Sequence, residues 1–293
     1  MRTRPLAFAG LAVLALAGPA SSQSSTQALW REVIPPLKII DNTYWVGTAG
    51  LQAVLITTPQ GHFLIDVGLP ENAPIVERNI ETLGFKVKDI KYLLNTHSHF
   101  DHSGGLAKLK ADSGATFVAS QGDRYALENG VYEGSENQAS LKFPAIKVDR
   151  VIADGGKLTL GGVTLTANIT PGHTKGCTTW TWQVREAGKT LNVVDFCSAS
   201  VAANRLAPNP QYPGIIEDYR KTFARAKTIK GDVFLAAHGD FFDLAGKKAK
   251  VGPGKPNPFI DPTGFASFVA RQEQGFNAEL ARQQAASQPG GRS

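Results

Sequence analysis

The sequence predicts an α/β protein built as a four-layer αβ/βα sandwich, in which two β-sheets pack face to face and helices cover their outer faces. Three observations predict this architecture. Short runs of β-forming residues alternate with stretches of helical periodicity along the chain. The alternation divides the chain into two comparable halves. Candidate ligand side chains follow strands of both halves, so one site is expected along the edge that the sheets share.

The first half is predicted to form one sheet with a covering helix. Strands are expected at Ala53–Thr58 and His62–Asp66, and the helix Asn72–Leu83 carries its apolar residues on one face. Strands at Lys91–Thr96 and Thr116–Ala119 continue the sheet.

The second half begins with a predicted hairpin. Its strands, Lys157–Leu160 and Val163–Ala167, flank the two-residue turn Gly161-Gly162. A helix is expected over about Ile216–Ile229 and a strand over Val233–Ala237. This half therefore supplies a second sheet.

A long amphipathic helix is predicted near the C-terminus. Asp261 and Pro262 are typical of an N-cap followed by proline at the first helical position. Apolar residues then recur at helical spacing at Phe265, Phe268, Val269, Phe276 and Leu280. This face is expected to pack on the core rather than to hold a cofactor.

The composition is that of a compact globular protein. Of the 293 residues, 42% are hydrophobic and 19% charged, which suits a sizeable core and is too apolar for a disordered chain. The net charge is +6 and the pI about 9.3, but the lysines and arginines are dispersed and form no basic run. Nucleic-acid binding is therefore not expected, and the cationic surface modestly favours anionic small-molecule substrates.

Residues 1–22 have the organisation of a secretory signal peptide. Arg2 and Arg4 precede an apolar stretch over Leu6–Ala17, and small residues follow at Gly18–Ser22. A membrane anchor is the alternative, but a spanning helix needs about 20 apolar residues and this stretch is shorter. Removal of the signal would leave a periplasmic protein without membrane attachment, with one domain over 23–286 and a flexible tail over 287–293. A monomer is the default expectation.

The most specific feature is a concentration of histidines. Three of the six lie in the decapeptide Thr96–Gly105, directly after a predicted buried strand, and His173 and His238 stand in other glycine-flanked turns. Imidazole and carboxylate groups are ligands of divalent zinc, and hydrolytic zinc sites leave a position open for water. The pattern therefore indicates a metal centre with room for two ions. His62 belongs to none of these turns and is interpreted as a surface histidine.

Spacing within the decapeptide divides these ligands. His97 and His99 are two residues apart and can point the same way while the chain is extended. Asp101 and His102 follow on a tightening turn into a helix predicted over Ser103–Lys110. One ion can therefore take the first pair, and its neighbour the second.

These residues resemble the pattern of the metallo-β-lactamase superfamily. The pattern consists of His-x-His-x-Asp-His at residues 97–102 and of the segments Thr170–Thr174 and Ala236–Gly239. Within the superfamily, the resemblance is closest to the subclass B3 enzymes, because of the histidine at position 97, the segment Val46–Leu51, and Ser198 where other subclasses place a zinc-binding cysteine. The likeness covers about residues 30–285 and supports the four-layer fold.

The resemblance implies two Zn²⁺ ions about 3.5–4 Å apart that share a bridging hydroxide. The first ion would be held by His97, His99 and His173, and the second by Asp101, His102 and His238. Asp101 would also act as the catalytic carboxylate that holds the hydroxide. Ser198 and Ser200 would contact a carboxylate of the substrate.

A periplasmic zinc-dependent β-lactamase is the implied activity, acting on penicillins, cephalosporins and carbapenems. A lactonase remains open, because the superfamily fold hosts many hydrolases and the metal motif does not give the substrate. A glyoxalase-II-like thioester hydrolase shares the motif, but no basic glutathione-binding helical region follows His238. A non-catalytic metal-binding protein is the alternative from another class.

Cys177 and Cys197 flank a second predicted hairpin. If Arg185 faces position 189 or 190, Cys177 lies opposite position 197 or 198, and facing residues of antiparallel strands lie about 4.5–5.5 Å apart, within disulfide range. The sequence therefore predicts a Cys177–Cys197 disulfide, which suits an oxidising periplasm. Cys197 as a zinc thiolate is the alternative.

Three further features lie close to the expected site. Lys175 stands where many relatives carry proline, and it either adds positive charge beside the pocket or is a solvated loop lysine. Residues Gly130–Val148 are expected to form a mobile flap over the cleft, with a plain surface loop as the equal alternative. Asp195 is the one candidate for orienting a ligating histidine, although an ordinary strand-end carboxylate is the favoured interpretation.

Overall fold

The structure, a computed structural model, describes residues 27–287 of the chain. The signal peptide expected over residues 1–22, and all of the expected tail except Ser287, lie outside the described residues. Within residues 27–287, two sheets pack on each other and helices cover their outer faces, so the predicted four-layer αβ/βα sandwich is confirmed. No helix in this range is both long and apolar enough to cross a membrane.

The first sheet has seven strands in chain order within the described residues. Strands β1 to β7 are Leu37–Ile40, Thr43–Trp45, Val54–Thr58, Gly61–Ile65, Ile90–Leu94, Thr116–Ser120 and Arg150–Ile152. Strands β1 to β4 pair antiparallel, whereas β4 to β7 pair in parallel. The sequence locates β3 to β6 to within two residues and misses β1, β2 and β7, which have only three or four residues each.

The second sheet has five strands in the described part of the chain, in the order β12-β11-β10-β9-β8. Strands β8 to β12 are Lys157–Leu160, Val163–Ile169, Thr178–Glu186, Lys189–Phe196 and Val233–Ala236. Gly161 and Gly162 form the predicted turn between β8 and β9 with φ angles of 55° and 86°, which glycine adopts without strain.

The predicted disulfide closes the hairpin of β10 and β11. Arg185 faces Thr190, as one of the two expected registers requires. Cys177 and Cys197 are bonded, and their Cα atoms lie 5.8 Å apart. Because the Cys197 sulfur is committed to this bond, the alternative of a zinc thiolate is wrong.

Seven α-helices lie between the strands and after them in residues 27–287. Helices α1 to α7 are Ala73–Thr82, Phe100–Ser103, Leu106–Ser113, Arg124–Asn129, Ile215–Ala226, Leu244–Lys250 and Gly264–Ala286. Parallel strands need long crossovers, and α1 to α4 supply those between β4 and β7, while α5 lies in the one between β11 and β12. The carboxyl ends of these parallel strands therefore meet at one edge of each sheet.

Two hydrophobic cores hold the layers together. Along β3, Val54 and Ile56 belong to the inner core between the sheets, whereas Leu55 belongs to the outer core with residues of α1 and α3. This division follows from the two-residue period of a strand. Since both faces of the first sheet are covered, every residue of β4 is buried.

The predicted helix over Ser103–Lys110 begins in the wrong place. Ser103 ends α2, and α3 starts only at Leu106. Gly105 lies between them, where an added Cβ would come within 2.5 Å of a methyl group of Val67. The close approach of this turn to the chain after β4 interrupts the helix.

The C-terminal helix is confirmed, with the five predicted apolar residues buried. Its predicted start is wrong, because α7 begins at Gly264 with Thr263 at the N-cap position. The Asp261 carboxylate still accepts a hydrogen bond from the backbone N–H of Gly264 at 2.9 Å. Asp261 therefore stabilises the first turn from outside the helix.

The interpretation of His62 as a surface residue is wrong. His62 lies in β4 and is only 6% exposed. Its Nδ1 accepts a hydrogen bond from the backbone N–H of Thr58 at 3.3 Å, and the ring contacts Phe85 edge-on with centroids 5.1 Å apart. Burial lowers the pKa of His62, so this histidine is a neutral part of the core.

Candidate metal centre

The predicted ligands lie at the ends of three strands. Residues 97–102 follow β5, His173 follows β9, and His238 follows β12. The two sheets meet at this edge, since Leu51 forms an antiparallel bridge with His238. The fold thus brings together side chains that are more than 70 residues apart in sequence, such as His97 and His173.

Six side chains form two adjacent triads. The first triad consists of His97, His99 and His173, and the second of Asp101, His102 and His238. In each triad, one possible ligand atom from every residue lies within 4.8 Å of the others. This is the division that the resemblance implies.

The ligand atoms converge at short distances. In the first triad, the Nε2 atoms of His97 and His173 are 3.2 Å apart. In the second, the Nε2 atoms of His102 and His238 are 3.1 Å apart, and Oδ2 of Asp101 lies 3.3 Å and 3.6 Å from them, respectively. Convergent imidazole and carboxylate lone pairs are the donor set that a divalent cation requires.

The outward-facing ring nitrogens have partners that fix the rings. His173 donates from Nδ1 to the carbonyl oxygen of Ser200 at 2.7 Å. Nδ1 of His97 lies 3.0 Å from the hydroxyl oxygen of Thr96. A metal-ligating histidine typically donates its other N–H in the way that His173 does, which leaves Nε2 free to bind the ion. Nδ1 of His102 makes no hydrogen bond within the described residues, but it lies at ion-pair distance, 3.5 Å, from Oδ2 of Asp66. The residues present therefore fit a metal.

Burial keeps most of these imidazoles neutral. It lowers the pKa of His97 and His99 well below the ordinary range, and the neighbouring histidines lower them further. Burial also lowers the pKa of His173 to about 4 and that of His238 to about 3. A neutral imidazole is the form that binds metal.

His102 differs from the other four ligating histidines. Burial would lower its pKa, but the carboxylates of Asp101 and Asp66 outweigh burial and raise the pKa to about 10. Asp101 in turn is held well below its usual pKa, because the positive charge of His102 outweighs the effect of burial. Asp101 and His102 therefore form a charged pair within the second triad.

Asp66 is one of the site residues that the sequence interpretation missed. It follows β4 directly in the left-handed region, with φ of 60°, which a non-glycine residue adopts only where the surroundings hold it. Its carboxylate accepts hydrogen bonds from the backbone N–H and the hydroxyl of Thr96, both at 2.7 Å. Asp66 therefore supports His102 directly and His97 through Thr96. A carboxylate at the end of an apolar strand is the signal that could have found it.

Asp195, the candidate named from sequence, contacts no ligand of either triad. It is fully buried on β11 and accepts a hydrogen bond at 3.0 Å from the amide of Gln52, which in turn lies 3.5 Å from Asp66. Asp195 does stand near the end of β11, as the favoured interpretation has it, but it is fully buried there.

Asp123 ties together the two loops that carry the first triad. Its buried carboxylate accepts from the backbone N–H of Ser98 at 3.0 Å, the hydroxyl of Thr174 at 3.0 Å and the backbone N–H of Gly176 at 2.8 Å. Burial outweighs these hydrogen bonds and raises the pKa of Asp123 to about 6. The residue was not among those singled out from sequence.

The two serines predicted to bind substrate lie beside the first triad. The hydroxyl oxygens of Ser198 and Ser200 are 3.3 Å apart. Ser198 is buried, whereas Ser200 is partly exposed. The carbonyl oxygen of Ser200 also accepts from the hydroxyl of Tyr219 at 2.8 Å, in addition to His173. Ser200 therefore orients a ligand through its backbone, a role that the sequence did not indicate.

The segment Gly130–Val148 packs against the site. The ring of Tyr132 stacks on that of His99, with centroids 4.2 Å apart and an interplanar angle of 13°. Its hydroxyl donates to the side-chain oxygen of Asn204 at 2.8 Å. Since Tyr132 is buried, the first part of this segment covers the metal centre and is more than a plain surface loop.

Lys175 lies beside the cleft rather than free in solvent. Its ammonium group pairs with the carboxylate of Glu133, the residue after Tyr132, and lies 5.2 Å from the centre of the Tyr212 ring. This contact joins the loop after His173 to the covering segment.

Comparison with known proteins identifies the family. The family model for the metallo-beta-lactamase superfamily matches residues 50–186. BJP-1, a subclass B3 metallo-beta-lactamase of Bradyrhizobium japonicum, is 44% identical, with a TM-score of 0.88 over 90% of this chain and 100% of that chain. FEZ-1, a metallo-beta-lactamase from Legionella gormanii, is 38% identical, with a TM-score of 0.84 over 86% of this chain and 98% of that one. The chain belongs to the metallo-β-lactamase superfamily and resembles its subclass B3 members.

Curated relatives match a shorter part of the chain. A hydroxyacylglutathione hydrolase of Rhodospirillum rubrum is 30% identical over 107 residues, which are 36% of this chain and 34% of that protein. The chain thus spans about a third of the length of the first curated relatives that it matches.

Proposed function

We propose that this protein is a zinc-dependent β-lactamase that binds two Zn²⁺ ions and hydrolyses the β-lactam amide of penicillins, cephalosporins and carbapenems. The observation that carries the proposal is the similarity to BJP-1 over the whole length of that subclass B3 enzyme, together with the two adjacent triads. The similarity to hydroxyacylglutathione hydrolases covers only about a third of those proteins.

The two triads are the proposed zinc ligands. One ion would be held by His97, His99 and His173, and the other by Asp101, His102 and His238. Bound zinc polarises carbonyl oxygens and makes water acidic enough to serve as a nucleophile at neutral pH. In support of this assignment, burial and neighbouring charges shift the pKa of His97, His102 and His173 away from the ordinary value of histidine.

Asp101 is the proposed catalytic carboxylate. Its side chain is 10% exposed, and its low pKa keeps it ionised at neutral pH. An ionised carboxylate at this position accepts a hydrogen bond from the attacking water and so directs its lone pair toward the lactam carbonyl. Its weak basicity suits it to orient the water rather than to remove a proton on its own.

Ser198 and Ser200 are the proposed partners of the substrate carboxylate. Two hydroxyl groups 3.3 Å apart can donate to the two oxygens of one carboxylate. Lys175 follows His173 by two residues in the chain, and its ammonium group pairs with the carboxylate of Glu133. The serines are therefore proposed as the main anion contact, with the lysine adding a weaker attraction.

The proposed location is the periplasm. The first 22 residues have the composition of a signal peptide, and the Cys177–Cys197 disulfide suits an oxidising compartment. A β-lactamase acts there on antibiotics before they reach the cell-wall enzymes.

A thioester hydrolase is the second candidate, favoured by the partial similarity to hydroxyacylglutathione hydrolases. The test is to assay the purified, zinc-loaded mature protein against a penicillin, a cephalosporin, a carbapenem, a glutathione thioester and an acyl lactone. A chelator-treated sample and one reloaded with zinc serve as controls.

We expect chelator-sensitive loss of the β-lactam absorbance that returns when zinc is restored. Turnover of the thioester or the lactone without turnover of any β-lactam would move the assignment to that hydrolase class. Binding of two ions without turnover of any substrate would favour a non-catalytic metal-binding protein.

A further inference from the structure

A polar unit is buried behind the second triad, between the two sheets. The side chains of Gln52, Asp66 and Asp195 are all fully inaccessible to solvent. Gln52 precedes β3, Asp66 follows β4, and Asp195 lies on β11 of the other sheet. Two carboxyl groups and one amide are thus buried together.

One oxygen of Asp66 is shared by three groups. Oδ2 accepts from the hydroxyl of Thr96 at 2.7 Å, and it lies 3.5 Å from both Nδ1 of His102 and Nε2 of Gln52. The other oxygen, Oδ1, is held by the backbone N–H of Thr96 at 2.7 Å. Because the backbone anchors Oδ1, the tilt of Oδ2 toward His102 depends on the remaining side chains, one of which is that of Gln52, which precedes β3 of the same sheet.

Asp195 holds Gln52 in turn. The amide nitrogen of Gln52 donates to Oδ2 of Asp195 at 3.0 Å. Oδ1 of Asp195 and Oε1 of Gln52 have no hydrogen-bond partner among the described residues. A buried acceptor without a donor is costly. A protonated Asp195 would offer a donor that the carboxylate lacks, since a carboxylic acid and a primary amide can form two hydrogen bonds, one in each direction.

Electrostatics favours the same protonation state. Burial raises the pKa of Asp195 well above its ordinary value, and the nearby carboxylate of Asp66 raises it further. A single amide hydrogen bond does not compensate a second buried negative charge at this position. Asp195 is therefore expected to keep its proton.

We propose that Asp195 is a positioning residue for the metal at the second triad: as a neutral acid it holds the Gln52 amide, which fixes Oδ2 of Asp66 behind His102. This inference rests on the proposed function only in that the second triad binds an ion. It assigns a role to a pair of side chains that contact neither metal ligand nor substrate.

The test is the affinity of each of the two zinc sites, measured by competition of the metal-free protein against a chromophoric chelator. Replacing groups behind metal ligands typically costs about 10- to 100-fold in affinity. Asp195 acts on His102 through two side chains, Gln52 and Asp66. We therefore expect Asp195→Ala to lower the affinity for the second ion by about tenfold, the lower end of that range. Gln52→Met, which keeps the length of the side chain and removes the amide, should reproduce this loss.

The Asp195→Asn variant tests whether Asp195 acts as a neutral acid or as a charged carboxylate. Asparagine can accept from and donate to Gln52 as a carboxylic acid does, so we expect the affinity for both ions to stay within about twofold of the original protein. Val193→Ala is the matched control, because Val193 is equally buried on the same strand and makes no polar contact with Asp66. It should lower the melting temperature without changing either affinity.

Each outcome bears on a separate statement. Unchanged second-ion affinity in Asp195→Ala would overturn the positioning role, and so would an equal loss in Val193→Ala. If Asp195→Asn lowered the affinity for the second ion as much as Asp195→Ala does, the claim that Asp195 acts as a neutral acid would be overturned. If the unmodified protein itself took up only one ion, the proposed two-zinc function would fail instead, independently of the role of Asp195.

Discussion

The two triads lie side by side, yet their surroundings prepare them for metal in opposite ways. In the first triad, the ring nitrogens behind the ligands meet neutral groups, the carbonyl of Ser200 and the hydroxyl of Thr96. In the second, His102 lies between two carboxylates, Asp101 and Asp66. Both sets are buried, so burial alone cannot account for the difference in their protonation.

The comparison shows that burial keeps the imidazoles of the first triad neutral, whereas two neighbouring carboxylates outweigh burial at His102. The pKa of His173 falls to about 4, whereas that of His102 rises to about 10. The first triad therefore presents neutral donors to an incoming ion. In the second triad, His102 must release a proton before it can bind an ion, although the carboxylate of Asp101 adds attraction for a cation.

The largest expected effect comes from removing a ligand of the first triad. We expect His97→Ala to lose one zinc and to lower kcat/KM by more than about a hundredfold, since changes behind ligands alone cost about 10- to 100-fold. Metal content and β-lactam turnover are the measurements. His62→Ala is the control, because His62 is buried outside the triads. Full activity in His97→Ala would contradict the ligand assignment.

The pH dependence of metal affinity should differ between the triads. Below pH 10, His102 is protonated in the metal-free protein, so binding of the second ion displaces one proton and its affinity should rise about tenfold per pH unit from pH 7 to 9. His173, with a pKa of about 4, is already neutral at pH 7 to 9, so the affinity for the first ion should change little with pH in that range. Chelator competition at three pH values gives both slopes. Equal slopes would contradict the difference between the sites.

A smaller effect is expected at the serines beside the first triad. Replacing Ser198 and Ser200 together by alanine should raise KM for carboxylate-bearing β-lactams by about tenfold, the value of one hydrogen bond to a charged group, and lower kcat less. The Ser200 carbonyl remains in place, so zinc content should not change. Steady-state kinetics together with metal analysis checks both statements. An unchanged KM would reject the role of the two hydroxyl groups.

The smallest effect is expected at Lys175. The pair with Glu133 is about one-third exposed, and exposed ion pairs are worth about 0–1 kcal/mol. Lys175→Met should therefore change KM by less than about fivefold and leave metal binding unaltered. A tenfold or greater rise in KM would show that the lysine, rather than the serines, is the main anion contact.

Much of the first triad could be read directly from local patterns. His97 and His99 follow an apolar strand, and strand ends are where ligands collect. The role of Asp66 could have been inferred from the same rule, because it also ends a buried strand. Gln52 and Asp195 could not, because their pairing depends on how the two sheets face each other across positions 143 residues apart.

The histidine motif, the strand pattern and the hairpin with its cysteines were determined by the sequence alone, because each depends on residues close together in the chain. Tertiary structure decided the rest. It buried His62, placed Tyr132 on His99, and put Asp66 behind His102. Protonation followed from these placements, since the pKa of a buried group is set by the charges that the fold brings within a few ångströms of it.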